Sequence, residues 1–221
     1  MKLNKLRAFI RVIVDRIQYA PITGTEIIGG DANWAVNVRI LPRNPKILSG
    51  GVGNDITFEV AMNGRFGAKI ALFDPSPTGE FTIEKLSPLA HGIVFYPSGL
   101  AGNCGVFSFA KPRIPEEGSW RHASHQNDSS FQCFDYNGAL RLAGFNQCDL
   151  VKIDIEGFEY GFIKKLLKSE FLPRQIAVEV HEFLPGHSWL DTLSLRYRLF
   201  KAGYRLVWKR RNDHLFIKDA D

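Results

Sequence analysis

Asp154, Glu156, Glu159 and His181 are the side chains whose types and places could do polar chemistry together. The acids close the segment Asp149-Leu-Val-Lys-Ile-Asp-Ile-Glu-Gly-Phe-Glu159, where an apolar run ends abruptly in carboxylates and a glycine. His181 ends a second run, Gln175-Ile-Ala-Val-Glu-Val-His181, in which Ile176, Val178 and Val180 share one face and Ala177, Glu179 and His181 the other. Carboxylates so placed can orient an acceptor, take its proton or help bind a metal ion, and an imidazole titrating at about pH 6.5 can serve as a base at neutral pH. His181 is therefore the candidate general base, and Asp154 and Glu156 are the candidate acceptor-facing acids. A Mg²⁺ or other divalent ion on Asp154, Glu156 and His181 is compatible with these residue types and is not required by them. Glu159 reads more simply as a first-turn acid favoured by the helix dipole. Lys152 sits among apolar neighbours, where a solvated lysine is out of place; it reads as a site-shaping residue paired with a nearby carboxylate.

The elements that must position these groups follow from the same residues. Leu150, Val151, Ile153 and Ile155 suit a strand buried on both faces, whereas the acids cannot be buried unpaired without a cost of several kcal/mol. They belong at the strand's carboxyl end, the edge at which open α/β sheets bind ligands. A second segment, Lys46-Ile-Leu-Ser-Gly-Gly-Val-Gly-Asn-Asp-Ile-Thr-Phe-Glu59, reads as a strand, a glycine turn and a helix start. It is followed by Ala68-Lys-Ile-Ala-Leu-Phe-Asp-Pro-Ser-Pro77, a strand ending in an acid. Asp74 follows Asp55 by 19 positions (74 − 55), the βαβ distance at which a carboxylate meets a ribose. A dinucleotide fingerprint would place a third glycine where Ile56 stands, which disfavours NAD.

On Gly50-Gly-Val-Gly-Asn-Asp55, Phe73-Asp-Pro-Ser-Pro77 and above all Val151-Lys-Ile-Asp-Ile-Glu-Gly-Phe-Glu159, the chain resembles class I S-adenosylmethionine-dependent methyltransferases, and within that class the FkbM family. The resemblance covers roughly residues 46–181. It implies a Rossmann-like α/β fold: a mainly parallel seven-stranded sheet with a C-terminal antiparallel hairpin and helices on both faces. S-adenosyl-L-methionine is the implied cofactor, bound across residues 50–55, 74–76 and 98–99. Gly50, Gly51 and Gly53 would form the turn beneath its methionine part, with Asp55 nearby; Asp74, beside Ser76, would accept hydrogen bonds from the ribose. Ser98 and Gly99 would touch the adenine side, and Asp154 would face the transferred methyl. FkbM-like enzymes act on hydroxyls of sugars, lipids or secondary metabolites, so the resemblance implies O-methylation of a small-molecule or glycan acceptor. N-methylation is the nearest chemical alternative, and a non-catalytic Rossmann-like binding module is the alternative of another class.

Composition agrees with a globular domain of this kind: 221 residues, 45% hydrophobic and 23% charged. The net charge of +5 is spread along the chain without a basic, aromatic-interleaved stripe, which disfavours nucleic acid as partner. Cys104, Cys133 and Cys148 form no C-x-x-C pair and read as reduced thiols. Residues 3–19 have helical apolar spacing, suited to packing on the domain, on a second copy of the chain or on a membrane surface. Arg11, Asp15 and Arg16 interrupt that run too early for a signal peptide or a membrane span, so a cytoplasmic location is expected. His122, His125 and Asp128 read as a polar loop cluster rather than a metal site, and no metal ligand is assigned.

Residues 1–45 read as an N-terminal helical extension or cap, and residues 46–221 as the methyltransferase domain. Strands are expected near 46–50, 69–73, 92–96, 105–109, 149–154, 175–180, 204–209 and 213–218. Helices are expected near 54–65, 81–88, 136–143, 157–168 and 188–202. The Pro-, Gly-, Ser- and His-rich stretch 111–130 reads as a mobile loop over the active site.

Overall fold

A computed structural model of the chain describes residues 10, 13–16, 18–112, 120–122 and 129–219. Apolar runs bounded by turn residues give the central strands: β3 (Lys46–Gly50), β4 (Lys69–Phe73), β5 (Ile93–Tyr96), β10 (Leu150–Ile153), β11 (Gln175–Glu179), β12 (Tyr204–Arg210) and β13 (Asp213–Lys218). They form a seven-stranded sheet in the order β12-β13-β11-β10-β3-β4-β5. Neighbours from β11 to β5 are parallel, and β13 is antiparallel to both β11 and β12, closing the edge with the expected hairpin.

Side-chain alternation on these strands builds a core on each face. Leu48, Val151, Ile153, Ile176 and Val178 pack on one side, with Phe162 and Leu195 from the covering helices Glu159–Leu166 and Trp189–Lys201. Ile47, Leu150, Ile70, Leu72 and Ala177 pack on the other, with Phe58 and Met62 from the helix Thr57–Phe66. A period of two with both sets buried is what a parallel sheet between helices demands.

Residues 25–37 differ from the helical cap expected of residues 1–45. They form an antiparallel hairpin, β1 (Thr25–Ile28) with β2 (Trp34–Asn37), turning through Gly29-Gly30-Asp31. Ile28, Trp34, Ala35 and Val36 join the core on the face of Ile47 and Met62. The hairpin is thus packed as part of the sheet's own covering layer, because its apolar residues have nowhere else to be buried. Most of the helix expected over 3–19 lies outside the described residues; residues 13–16 are helical, and Asp15 pairs with Arg196 and Lys209.

The strand expected near 105–109 exists but belongs to a second sheet. Here β7 (Gly105–Ala110) lies between β8 (Arg121–His122) and β9 (Ser129–Phe134), with β6 (Gly99–Leu100) on the outer side of β9. Of the loop expected over 111–130, residues 113–119 and 123–128 lie outside the described residues, as do His125 and Asp128. The helix placed at 81–88 starts earlier, at Pro77, because Ser76 caps it by accepting from Gly79 N at 3.0 Å and proline suits the first helical position. Among the described residues no helix is long and apolar enough to cross a membrane. Cys104 is exposed, Cys133 and Cys148 are buried, and all three are free thiols.

His214, on β13, is buried and stacks on Phe216. Burial pushes its imidazole down to about 3, assisted by the charges of Arg196 and Lys209 and opposed by the Asn212 carbonyl and Asp15. The unfolded chain takes up a proton below about pH 6.5 that the native imidazole refuses, so this residue costs stability as pH falls from there towards 3. The loss approaches about 1.4 kcal/mol per pH unit. Urea unfolding between pH 7 and 5 is expected to show a flatter decline for His214→Gln than for the wild type; equal slopes would refute it.

Candidate active site

The registers of β3, β4 and β10 bring three distant segments to one edge. Gly50 lies opposite Phe73 on β4 and opposite Ile153 on β10, so the glycine turn, Asp74 and Asp154 emerge side by side. Gly51 N donates to the Phe73 carbonyl at 2.9 Å, and Asp154 N donates to the Gly50 carbonyl at 3.0 Å. Between them opens a cavity of about 330 Å³, whose walls include Gly51, Gly53, Asp55, Asp74, Asp154 and Glu156. That size lies at the lower end of the range for cofactor and drug-sized ligands.

Of the residues expected to hold a cofactor, Gly51, Gly53, Asp55, Asp74, Ser76, Gly99 and Asp154 line this cavity. Gly50 and Ser98 do not. Gly50 is buried against Leu100 and Ile155, and Ser98 donates its backbone N–H to the Tyr96 carbonyl at 2.7 Å. Gly53 has φ +52 and no neighbour within 4 Å of where a Cβ would stand, so its lack of a side chain leaves room in the cavity.

Asp74 is engaged by the backbone. It is 6% exposed, and its Oδ2 accepts from Val52 N at 2.8 Å and Gly53 N at 3.1 Å while Oδ1 accepts from Ser76 N at 2.8 Å. Three backbone donors occupy most of the carboxylate's accepting capacity. Its charge chiefly pins the glycine turn to the end of β4. Asp74→Asn puts an amide N–H₂ where N–H donors converge and is expected to weaken S-adenosylhomocysteine binding by roughly ten- to hundredfold. Calorimetric titration checks this, and wild-type affinity would refute it.

Asp55 fixes the other side of the turn. It accepts from Thr57 N at 2.6 Å, from the Thr57 hydroxyl at 2.9 Å and, across to the hairpin, from Ala32 N at 2.9 Å. Burial alone would raise its pKa; these donors and the charge of Lys152 outweigh it and hold the carboxyl below the usual range. The latch delays the helix until Thr57 and brings Asp31, Ala32 and Trp34 into the cavity wall. Sequence reading placed no site residue in residues 1–45.

Lys152 is buried and points to the same side. It donates to the Gly51 carbonyl at 2.7 Å, lies 3.7 Å from Glu59 Oε1 and sits 5.0 Å from the centre of the Trp34 ring. Its partner acid is therefore Glu59, itself held by the Ser49 hydroxyl at 2.5 Å, and neither Asp154 nor Glu156. The site-shaping role fits this geometry: the ammonium ties β10 to the glycine turn.

The far wall is aromatic. Phe109 of β7 stacks on Phe158 with ring centres 4.8 Å apart and meets Phe131 edge-on at 5.3 Å. Phe109, Phe158 and Trp120 face the cavity, giving it an apolar side suited to a flat ring. None of these was singled out in the sequence; the signal available was the aromatic alternation in Val106-Phe-Ser-Phe109.

Beyond the end of β10, Glu156 takes a left-handed backbone (φ +48), and Gly157 follows at φ +103. Glu159 holds this turn: it is 0% exposed, with Oε2 accepting from Gly157 N at 2.8 Å and Oε1 from His181 N at 2.8 Å. It is a first-turn acid as expected, and also the buried link between two strand ends. His181 Nδ1 lies 3.2 Å from the same Oε1, while its Nε2 faces Asp154 Oδ1 at 3.5 Å and Glu156 Oε2 at 3.6 Å.

This environment argues against His181 as the general base. Burial alone would lower its pKa, but the hydrogen bond to Glu159 and the charges of Glu159, Asp154 and Glu156 outweigh it and raise the imidazole to about 9. A ring raised that far keeps its proton at neutral pH unless another cation takes that proton's place among the three carboxylates. It is also 4% exposed and absent from the cavity wall. Nearby Glu179 is driven up to about 7, first by burial and then by the charge of Asp154. Asp154 reaches the cavity wall: its side chain is 36% exposed, yet Oδ1 is a buried atom without a hydrogen-bond partner.

The architecture is shared with known methyltransferases. A crystal structure titled methyltransferase FkbM from Methylobacillus flagellatus KT superposes with a TM-score of 0.54 at 12% identity, covering 91% of this chain and 49% of that one. The chain thus spans about half the length of that protein. Fibrillarin from Methanococcus jannaschii, a pre-rRNA processing protein, matches at TM-score 0.48 and 10% identity, over 91% of this chain and 86% of that one. Fibrillarin from Aeropyrum pernix, solved with S-adenosyl-L-methionine bound, matches at 0.46 and 12%, over 90% of this chain and 83% of that one. No curated protein matches the sequence.

The fold is the Rossmann-like α/β fold of class I methyltransferases. Residues 112–206 match the family described as the methyltransferase FkbM domain.

Proposed function

We propose that the protein transfers the methyl group of S-adenosylmethionine to a hydroxyl of a sugar, lipid or other small metabolite. The observation that carries this reading is the cavity whose wall runs from the glycine turn to Asp154, which gives one space a cofactor cradle and a carboxylate. The residues fit the cofactor. Gly51 and Gly53 would leave room for its amino-acid end, Asp74 would stand on its ribose side, and Phe109, Phe158 and Trp120 would offer an apolar wall for its base. The cofactor supplies an electrophilic methyl on a sulfonium.

What the chain adds is position and a proton acceptor. Asp154 orients the acceptor hydroxyl and takes its proton as the oxygen forms its bond to the methyl carbon. The carbon–sulfur bond breaks with its electron pair going to sulfur, leaving S-adenosylhomocysteine. Glu156, with its side chain 20% exposed at the same edge, steers the acceptor, and the aromatic wall excludes water.

Calorimetry with S-adenosylhomocysteine tests the first half: folded protein that does not bind it removes the reading. For the second half, the protein is offered a mixed pool of glycans and metabolites with labelled S-adenosylmethionine. Label should enter an alkali-stable ether; label on nitrogen would assign N-methylation, and no turnover by cofactor-binding protein would leave a binding module.

A further inference from the structure

His181 presents a problem in electrostatics that the transfer reaction does not use. Glu159 Oε1 accepts from His181 N at 2.8 Å and lies 3.2 Å from Nδ1, so the Nδ1 edge of the ring is anchored on that carboxylate. Nε2 then turns towards Asp154 Oδ1 and Glu156 Oε2 at 3.5 and 3.6 Å, and all three ligand atoms lie within 4.8 Å of one another. The His181 side chain is 96% buried, taken from its 4% exposure. Asp154 Oδ1 is likewise buried without a hydrogen-bond partner. Two carboxylate oxygens held this close to a ring nitrogen favour a positive centre among them, and Arg121 Nε stands outside the cluster, 3.9 Å from Glu156 Oε2.

A proton on Nε2 answers that need poorly, because charge-assisted N–H···O bonds close to about 2.7–2.9 Å and these contacts stay well outside that. A shared ion answers it better. Donors about 2.1 Å from one divalent centre stand roughly 3.0–4.2 Å apart, a span that holds the 3.5 and 3.6 Å separating Nε2 from the two acids. The arrangement also has the outer support that ligating imidazoles have, a buried carboxylate on the other ring nitrogen that fixes tautomer and orientation.

We propose that Asp154 Oδ1, Glu156 Oε2 and His181 Nε2 bind a divalent cation at the inner edge of the cavity. Two carboxylate oxygens and one imidazole nitrogen suit Mn²⁺ best, with Mg²⁺ and Zn²⁺ as weaker and tighter neighbours. Asp154 and Glu156 line the cavity, so the open positions of the ion face the space where the acceptor enters. Resting on the methyltransferase reading, the ion fixes the acceptor oxygen and makes its hydroxyl easier to deprotonate, favouring acceptors with a second oxygen able to reach the ion.

Mn²⁺ itself is the probe, since its free aquo signal in electron paramagnetic resonance disappears on binding. The full chain should take up one Mn²⁺ per molecule, displaced by excess Mg²⁺. Glu156→Gln and His181→Ala should each weaken uptake by at least roughly tenfold while thermal melting shows a folded protein. Should His181→Ala fail to fold, Glu156→Gln decides. Folded wild-type protein that binds S-adenosylhomocysteine but leaves Mn²⁺ free overturns the ion site and spares the methyltransferase reading. Uptake unchanged in a folded variant also overturns it. Mn²⁺ uptake without S-adenosylhomocysteine binding would keep the site and remove the enzymatic reading.

Discussion

Gly51→Ala is expected to abolish measurable cofactor binding and to destabilise the fold, while Gly53→Ala, two residues on, leaves the fold nearly intact. Both glycines have left-handed backbones, at φ +87 and φ +52, so conformational strain alone would cost either variant about 1–3 kcal/mol. What separates them is the neighbour. A Cβ on Gly51 would stand 2.0 Å from the Asp154 carbonyl oxygen, backbone against backbone, whereas one on Gly53 meets nothing within 4 Å. No rotamer relieves the first clash. β3 must part from β10, stretching the bond from Asp154 N to the Gly50 carbonyl and carrying the turn away from the Asp74 carboxylate. Urea unfolding should show a loss of several kcal/mol for Gly51→Ala, and affinity for S-adenosylhomocysteine should fall by at least roughly a hundredfold. For Gly53→Ala the added methyl enters the cavity, so affinity should fall with little change beyond the backbone strain. Wild-type affinity in Gly51→Ala would show that the cofactor lies elsewhere.

The seven-stranded sheet was legible because each parallel strand is a short apolar run stopped by a residue that cannot continue it: Gly50 after Ile47-Leu48, Asp74 after Leu72-Phe73, Asp154 after Ile153. The same stops mark the functional edge, which is why the glycine turn, Asp74 and Asp154 could be placed together from sequence. The hairpin at residues 25–37 was not legible. Its strands have four residues each, too few for a period of two to stand out from the helical spacing just before them. Strands β6 and β8 have two residues each, so the second sheet exists only through tertiary pairing. Charge partners were hidden for another reason. An acid at a strand end announces that it needs a partner without saying which, and backbone donors leave no trace in side-chain identity. Lys152 therefore found Glu59, and the three donors on Asp74 came from main-chain N–H groups.

Glu159 tests whether the edge is held from beneath. Removing it leaves the Gly157 and His181 N–H groups without their acceptor and strips the carboxylate from the far side of the imidazole. A buried N–H left unsatisfied costs about 1–3 kcal/mol, and breaking a buried charged contact from one side costs about 3–5 kcal/mol, so Glu159→Ala should lose about that larger amount in urea unfolding. Glu159→Gln keeps an acceptor at Oε1 and puts an N–H₂ against Gly157 N, which predicts a smaller loss of about 1–3 kcal/mol. Position matters as much as stability, because the left-handed turn at Glu156 and Gly157 depends on that Oε2 acceptor. With the turn released, Glu156 no longer faces His181 and Asp154 no longer has a fixed neighbour. Turnover should then fall further than affinity for S-adenosylhomocysteine, whose cradle lies on β3 and β4. A Glu159→Ala protein within about 0.5 kcal/mol of wild type would mean that the turn is held by something other than this carboxylate.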